Sequence, residues 1–171
     1  NKNHAVHIRA LQKLHNPHLH LLIAGTGKLE QQLRTLAKDC GVDAQVHLAG
    51  FRTDVAELLH ASDVFCFPSK REGLGFTAIE AMAAGLPLIT SDRHGILDYS
   101  KDGITGFACA PDDAAAFADA MRILAEDSVL RATMGQHNAR AAEQFSLDTV
   151  LLQMRDIYES ALGAEEPAIV R

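Results

Sequence analysis

Asp63-Val64-Phe65-Cys66-Phe67-Pro68-Ser69-Lys70-Arg71-Glu72-Gly73-Leu74-Gly75-Phe76-Thr77-Ala78-Ile79-Glu80-Ala81-Met82-Ala83-Ala84-Gly85-Leu86-Pro87-Leu88-Ile89-Thr90 contains one complete structural unit of the chain. Asp63 to Phe67 is a short apolar run, and Pro68, which has no N–H to give a central strand, closes it. Phe76 to Ala84 places small and apolar residues at helical spacing and stops at Gly85, the residue type that ends helices in the left-handed conformation. Leu86 to Thr90 is a second apolar run. Both runs are apolar throughout instead of alternating, so both faces of their sheet are covered. A helix between two such strands makes them parallel neighbours.

The same unit recurs on either side. Upstream, Val6, Ile8, Leu11 and Leu14 carry a helical period that Pro17 ends, and Leu19 to Ala24 is a strand stopped by Gly25-Thr26-Gly27. Leu29, Leu33, Leu36 and Ala37 form the next helix, with Gly41 just beyond its end. Gln45 to Ala49 is a strand that meets Gly50, and Asp54 to Ala61 is a short helix with Val55, Leu58 and Leu59 on one face. Downstream, Thr105 to Cys109 is a fifth strand. Helices over about Asp113–Glu126, Ser128–Gln144 and Leu147–Leu162 follow, with Asp112 and Ser146 as expected N-caps of the first and last. The pattern predicts an α/β domain, a doubly wound Rossmann-like parallel sheet of about five to six strands with helices on both faces. The domain is expected over residues 1–163, with a frayed tail over 164–171. The last helix carries Val150, Leu151, Met154, Ile157, Tyr158 and Leu162 on one broad face, which is expected to pack on its own domain.

Composition bounds the function classes. The chain has 171 residues, 47% apolar and 22% charged, as in an ordinary globular domain. No apolar run approaches the roughly 20 residues of a bilayer span, and no signal peptide is visible. The net charge of −6 argues against general nucleic-acid binding, yet leaves room for one phosphate-bearing ligand held locally. Three cysteines without a CxxC are expected to be reduced thiols in a cytoplasmic protein, with Cys66 inert in its strand. His4, His7, His15, His18 and His20 crowd the amino terminus without a ligand-like partner spacing, so no metal site is expected and solvent-facing or strand-flanking rings are. The chain starts Asn1-Lys2 without Met and enters a helical pattern at once, the expected look of a piece of something longer.

Parallel sheets place ligands at the carboxyl ends of strands. The loop from Pro68 to Phe76 offers a basic pair (Lys70, Arg71), a carboxylate, two glycines and a helix start whose free N–H groups attract anions. Glu72 and Glu80 flank that start, separated by roughly 10–12 Å of helical rise. Two acceptors around an anion site suit a diphosphate bearing hydroxyls at both ends. Spacing alone leaves two plainer readings open, Glu80 as a solvated helix residue and Glu72 as a charge favoured by the dipole. Asp92, His94, Asp98 and Tyr99 follow the fourth strand, and their roles stay open. A dinucleotide fingerprint at Gly25-Thr26-Gly27 fails because Glu30 stands where the third glycine belongs. No Asp-x-Asp pair offers a metal-bridged diphosphate site.

Pro68-Ser69-x-x-Glu72-Gly73-x-Gly75-(x)4-Glu80-Ala81-Met82-Ala83-x-Gly85-x-Pro87 resembles the nucleotide-sugar signature of glycosyltransferase family 4. Gly25-Thr26-Gly27, Gly50-Phe51-Arg52, Ala61-Ser62-Asp63-Val64 and Asp102-Gly103-x-x-Gly106-Phe107 resemble further segments of that family, so the likeness covers nearly the whole chain. It implies the carboxyl-terminal donor-binding half of a GT-B fold, with the domain's first strand, and an arginine after it, falling ahead of Asn1. It also implies roles. Glu72 would be the catalytic-site residue beside the transferred sugar, acting by position and charge. Gly73, Leu74, Gly75, Phe76 and Thr77 would bind sugar and phosphates, and Glu80 the ribose. Gly50, Arg52 and Thr53 would line the nucleobase, Gly25 and Gly27 would belong to the donor site, and Lys2, in a Lys-Asn that resembles the family's Lys-Gly, would touch the diphosphate.

The implied activity is retaining transfer of a hexose from a UDP- or GDP-linked sugar to a glycan or lipid-linked acceptor, in polysaccharide, capsule or lipopolysaccharide synthesis. No cofactor or metal is implied. The acceptor would be met through the missing amino-terminal domain, at the cytoplasmic side and, for the full-length enzyme, at the membrane's inner face. The chain alone is expected to be inactive. A non-catalytic Rossmann-like nucleotide- or protein-binding module is the alternative, and a sugar-nucleotide epimerase or phosphorylase of similar architecture a weaker one.

Overall fold

The computed structural model describes residues 1–163, so the tail expected to fray, 164–171, lies outside the described residues. Seven α-helices and five strands follow one another: α1 Ala5–Leu14, β1 Leu21–Ala24, α2 Glu30–Asp39, β2 Val46–Gly50, α3 Val55–His60, β3 Phe65–Phe67, α4 Phe76–Ala83, β4 Leu88–Ser91, β5 Gly106–Cys109, α5 Ala114–Glu126, α6 Ser128–Ala142 and α7 Leu147–Gly163. Every expected strand and helix is present, with ends displaced by a residue or two. All strand pairs are parallel, as runs apolar on both faces require.

The pairing is divided. Among the described residues β1 pairs only with β2, Leu21 opposite Val46, with a slip in register between Ile23 and Ala24. β4 lies between β3 and β5, with Leu88 opposite both Phe65 and Gly106. Among the described residues no ladder joins β1 to β3, so the five strands form a two-stranded and a three-stranded sheet. α1 ties them together. Val6 and Ala10, one turn apart, pack with Ile89, Cys109, Phe117 and Leu124, while Ile8 and Leu11, on the adjoining face, pack with Ala37 and Val42. A third cluster lies beneath α4, built on Met82, Leu88, Ile96 and Tyr99. Asn138 of α6 donates from Nδ2 to Leu86 O and Thr105 O, both at 2.8 Å, and so fixes the starts of β4 and β5.

Three expectations are corrected. The N-cap of α5 is Asp113, whose carboxylate accepts from the Ala115 and Ala116 amides at 3.0 Å, while Asp112 pairs with Lys70 Nζ at 2.5 Å. The second of two adjacent aspartates is the one within reach of the second and third helical amides. Ser146 does cap α7, accepting from the Thr149 amide at 3.2 Å. Among the described residues α7 does not bury its apolar face on the domain: it leaves Leu151, Ile157, Tyr158 and Leu162 exposed. An apolar stripe specifies that a helix packs, not against what.

His7 is the third. It is 2% exposed, edge-on to Phe117 at 5.3 Å between ring centroids, and its Nε2 has no partner among the described residues. α1 is covered by both α2 and α5, so its buried face is wider than the apolar period alone indicates. Burial, aided by the charge of His4, pushes the His7 pKa down to about 3. The unfolded imidazole takes its proton near the ordinary value of 6.5, and the folded one does not until near 3. Between those values the unfolded chain binds more protons, so stability is complete above pH 6.5 and is lost as the pH falls, by up to about 1.4 kcal/mol per unit. His7→Phe should therefore flatten the fall in melting temperature between pH 7 and pH 5. Equal falls for both proteins would remove His7 from the acid response.

Candidate functional site

The site begins where β3 ends. Pro68 and Ser69 are buried, and Ser91 at the end of β4 donates to Ser69 O at 2.5 Å, so the two strand ends are locked together. The Lys70 amide donates to Asn1 O at 2.9 Å and brings the chain's first residues alongside. The loop then runs over Glu72 and Gly73 to Gly75, which stands in the left-handed region (φ +78) ahead of α4. A Cβ there would lie 2.8 Å from Phe67 Cε1 and 2.9 Å from the Tyr99 hydroxyl, so backbone and space both demand glycine. Among the described residues no side chain caps α4. Its first helical hydrogen bond within reach is Ala78 N–H to Gly75 O at 2.9 Å, so the Phe76 and Thr77 amides precede it and lend the helix's positive end to an anion.

Glu72 and Lys2, 70 positions apart, meet at 2.6 Å from Nζ to Oε2. Lys2 Nζ also lies 5.1 Å from the centroid of the Phe67 ring. Glu72 is half-buried and Lys2 exposed, so the pair sits at the mouth of the site. Asn3 makes this possible: its φ is +54, and its Nδ2 donates to Pro111 O at 2.6 Å. Asparagine is among the few residues that tolerate the left-handed region, which accounts for Lys-Asn where Lys-Gly is the resembling pattern. Glu80 lies exposed on α4 beyond the helix start. Of the basic pair, Lys70 is engaged by Asp112 and Arg71 is exposed.

Beneath the loop runs the 3-10 turn His94–Asp98 that follows β4. Its Gly95 abuts the loop so closely that a Cβ would stand 1.5 Å from Gly73 O. Gly95 and Tyr99, in the segment after the fourth strand whose roles stay open in the sequence, thus pack against the loop, and Asn3 joins them without any motif. The signals were a glycine and a polar residue at chain reversals, legible only once their neighbours are known. Exposed His94 opens this turn with φ +52.

A second group forms at the ends of β1 and β2. The Gly25 amide donates to Gly50 O at 2.6 Å and couples the two loops, and Gly27 O accepts from the Glu30 amide at the start of α2. Arg52 pairs with Asp54, which holds the guanidinium above and the carboxyl below their ordinary pKa values, and Thr53 lies exposed between them. Among the described residues no hydrogen bond joins this group to the Lys2, Glu72, Gly73, Leu74, Gly75, Phe76 and Thr77 group. Burial pushes the Cys66 thiol up to about 12 and that of Cys109 to about 11, so neither is a nucleophile at neutral pH. Among the described residues no three His, Cys, Asp or Glu side chains converge as a metal site. A cation, an uncapped helix start and a carboxylate in one place equip the first group to hold a phosphate chain and a hydroxylated ring beside it.

A protein-family model described as "Glycosyl transferases group 1" matches residues 1–141. The chain is 36% identical over 165 residues to the putative glycosyltransferase EpsD of Bacillus subtilis (strain 168), covering 96% of this chain and 43% of that protein. It is 31% identical over 144 residues to the lipopolysaccharide core biosynthesis glycosyltransferase LpsE of Rhizobium meliloti (strain 1021), covering 84% of this chain and 42% of that protein. It superposes with a TM-score of 0.85 at 25% identity on the crystal structure of Anabaena Alr3699/HepE in complex with UDP-glucose, covering 93% of this chain and 45% of that one. The chain therefore spans less than half the length of each of these proteins.

Proposed function

Because this chain belongs to the glycosyl transferases group 1 family, we propose that it binds the nucleotide-sugar donor of a GT-B glycosyltransferase. The complete protein would transfer a hexose, with retention, from a UDP- or GDP-linked sugar to a glycan or lipid-linked acceptor of surface-polysaccharide synthesis. The observation that carries this reading is the uncapped start of α4 with the Lys2–Glu72 pair beside it and Glu80 exposed further along the helix. The Phe76 and Thr77 amides, with the Gly73, Leu74 and Gly75 backbone, would receive the phosphates. Lys2 would leave Glu72 for the diphosphate, and Glu72 would turn to the sugar. Glu80 would take the ribose diol, and the loops carrying Gly25, Gly27, Gly50, Arg52 and Thr53 would complete the nucleoside end.

In the transfer step, charge grows on the departing diphosphate. Main-chain amides, fixed in advance, and Lys2, once it has left Glu72, would stabilise that charge in place of a metal ion. The acceptor would come from the rest of the protein, so these residues alone would bind donor and transfer nothing. A further strand ahead of Asn1 belongs to this reading. Among the described residues β1 and β3 are each paired on one edge, and Asn1 O already accepts from the Lys70 amide just beyond β3. Among the described residues no helix is long and apolar enough to cross a membrane. The reading puts the site on the cytoplasmic side.

Titration calorimetry of the chain with UDP, GDP, ADP and inorganic pyrophosphate tests the proposal. At least one nucleoside diphosphate should bind. Glu80→Ala should weaken it by about 10-fold or more, the worth of hydrogen bonds to a charged group, and leave pyrophosphate unchanged. A chain that ignores all four ligands would refute the proposal.

A further inference from the structure

Tyr99 follows the 3-10 turn His94–Asp98 and is 4% exposed. Among the described residues its buried hydroxyl has no hydrogen-bond partner. It points at the start of α4: the phenolic oxygen lies 2.9 Å from the place of a Cβ on Gly75, next to the Phe67 ring that occupies the same space at 2.8 Å. The rest of the ring's surroundings is apolar, with Phe145 edge-on at 6.3 Å between centroids. A phenylalanine would fill this space as well. A buried hydroxyl with no partner is a net cost to the fold, which a state of the protein in which it is bonded would remove. Burial, then the charges of Glu72 and Asp98, hold the phenol's pKa above its ordinary value, so the group is a neutral donor throughout the physiological range.

We propose that Tyr99 is a positioning residue of the donor site: its hydroxyl takes up a hydrogen bond to the Glu72–Gly75 turn when that turn closes on a diphosphate. This rests on the donor-binding reading above. Without ligand, Glu72 is held by Lys2 at 2.6 Å. A diphosphate that draws Lys2 away frees the turn to settle, and an unsatisfied donor waits beneath it. The unliganded chain then carries an unpaired hydroxyl that the liganded chain does not, which couples anion binding to the turn's position.

Tyr99→Phe keeps the ring and removes the one atom in question. The whole chain, unchanged and as Tyr99→Phe, is melted without ligand and titrated with pyrophosphate and with UDP, with Glu80→Ala alongside. The expected result is opposite movement: Tyr99→Phe melts higher and binds both anions about 5-fold more weakly, the worth of one hydrogen bond. A residue that only packs would move stability and affinity in the same direction. Unchanged affinity, or a lower melting temperature with affinity lost, overturns the inference. If Glu80→Ala loses UDP while Tyr99→Phe does not, this inference falls and the donor-binding reading stands. If the unchanged chain binds neither anion, both fall.

Discussion

Gly95→Ala should weaken nucleotide binding on the order of 100-fold, although residue 95 touches no proposed ligand atom. The added methyl would stand 1.5 Å from Gly73 O, 2.7 Å from Gly73 C and 3.6 Å from Glu72 O. None of these is the end of a flexible side chain, so main chain must give way on one side or the other. The 3-10 turn is anchored by Ile96, which is fully buried, and by Tyr99. The loop between Lys70 and Gly75 is less anchored and is the part that yields. Its displacement carries Glu72 and the approach to α4 with it. A shift of about 1 Å at a binding constellation costs on the order of 100-fold, and the overpacking itself about 1–3 kcal/mol of stability. Calorimetry and thermal melting would show both losses. Wild-type affinity in a folded Gly95→Ala protein would mean that the loop does not form the site.

Glu72→Ala should split the donor into its parts. The carboxylate is assigned to the sugar, so affinity for UDP-glucose, or for GDP-mannose if guanine is the base, should fall by about 10- to 150-fold. The bare nucleoside diphosphate should bind as well as before or tighter. Lys2 is held by Glu72 at 2.6 Å in the unliganded chain, and removing the carboxylate releases the cation for the phosphates. The pair is solvent-accessible, so the release is worth little in stability. Parallel losses for sugar nucleotide and nucleotide would show that Glu72 serves the phosphate end or the loop's fold instead.

What could be read from the sequence was what is local. Apolar runs, Pro68 after β3 and Gly85 after α4 are signals within a few residues of the structure they specify, and all five strands were found from them. The loop-to-α4 junction was legible for the same reason, and the Pro-Ser–Glu-Gly–Glu spacing added the ligand class by resemblance. What escaped was set by residues distant in the chain. Whether β1 meets β3 depends on pairing, and no run of sequence states it. His7 looked like one of several surface histidines until α5 covered it with Phe117, 110 positions on. Asp112 and Asp113 are equivalent in pattern, and only the geometry of α5 chooses between them. Gly95 and Tyr99 act on Gly73 and Gly75 across more than twenty residues, and neither contact has a motif. α7 kept its stripe but did not find a partner on this domain, since amphipathicity does not name one.

A crystal of the chain soaked with UDP-glucose, and in parallel with GDP-mannose, puts the central claim to its most direct test. The diphosphate should appear at the Phe76 and Thr77 amides, with Lys2 drawn off Glu72 and onto it, the sugar beside Glu72 and the ribose beside Glu80. Ligand density seated elsewhere, at the Gly25–Gly27 turn for example, with the Lys2–Glu72 pair still closed, would contradict it.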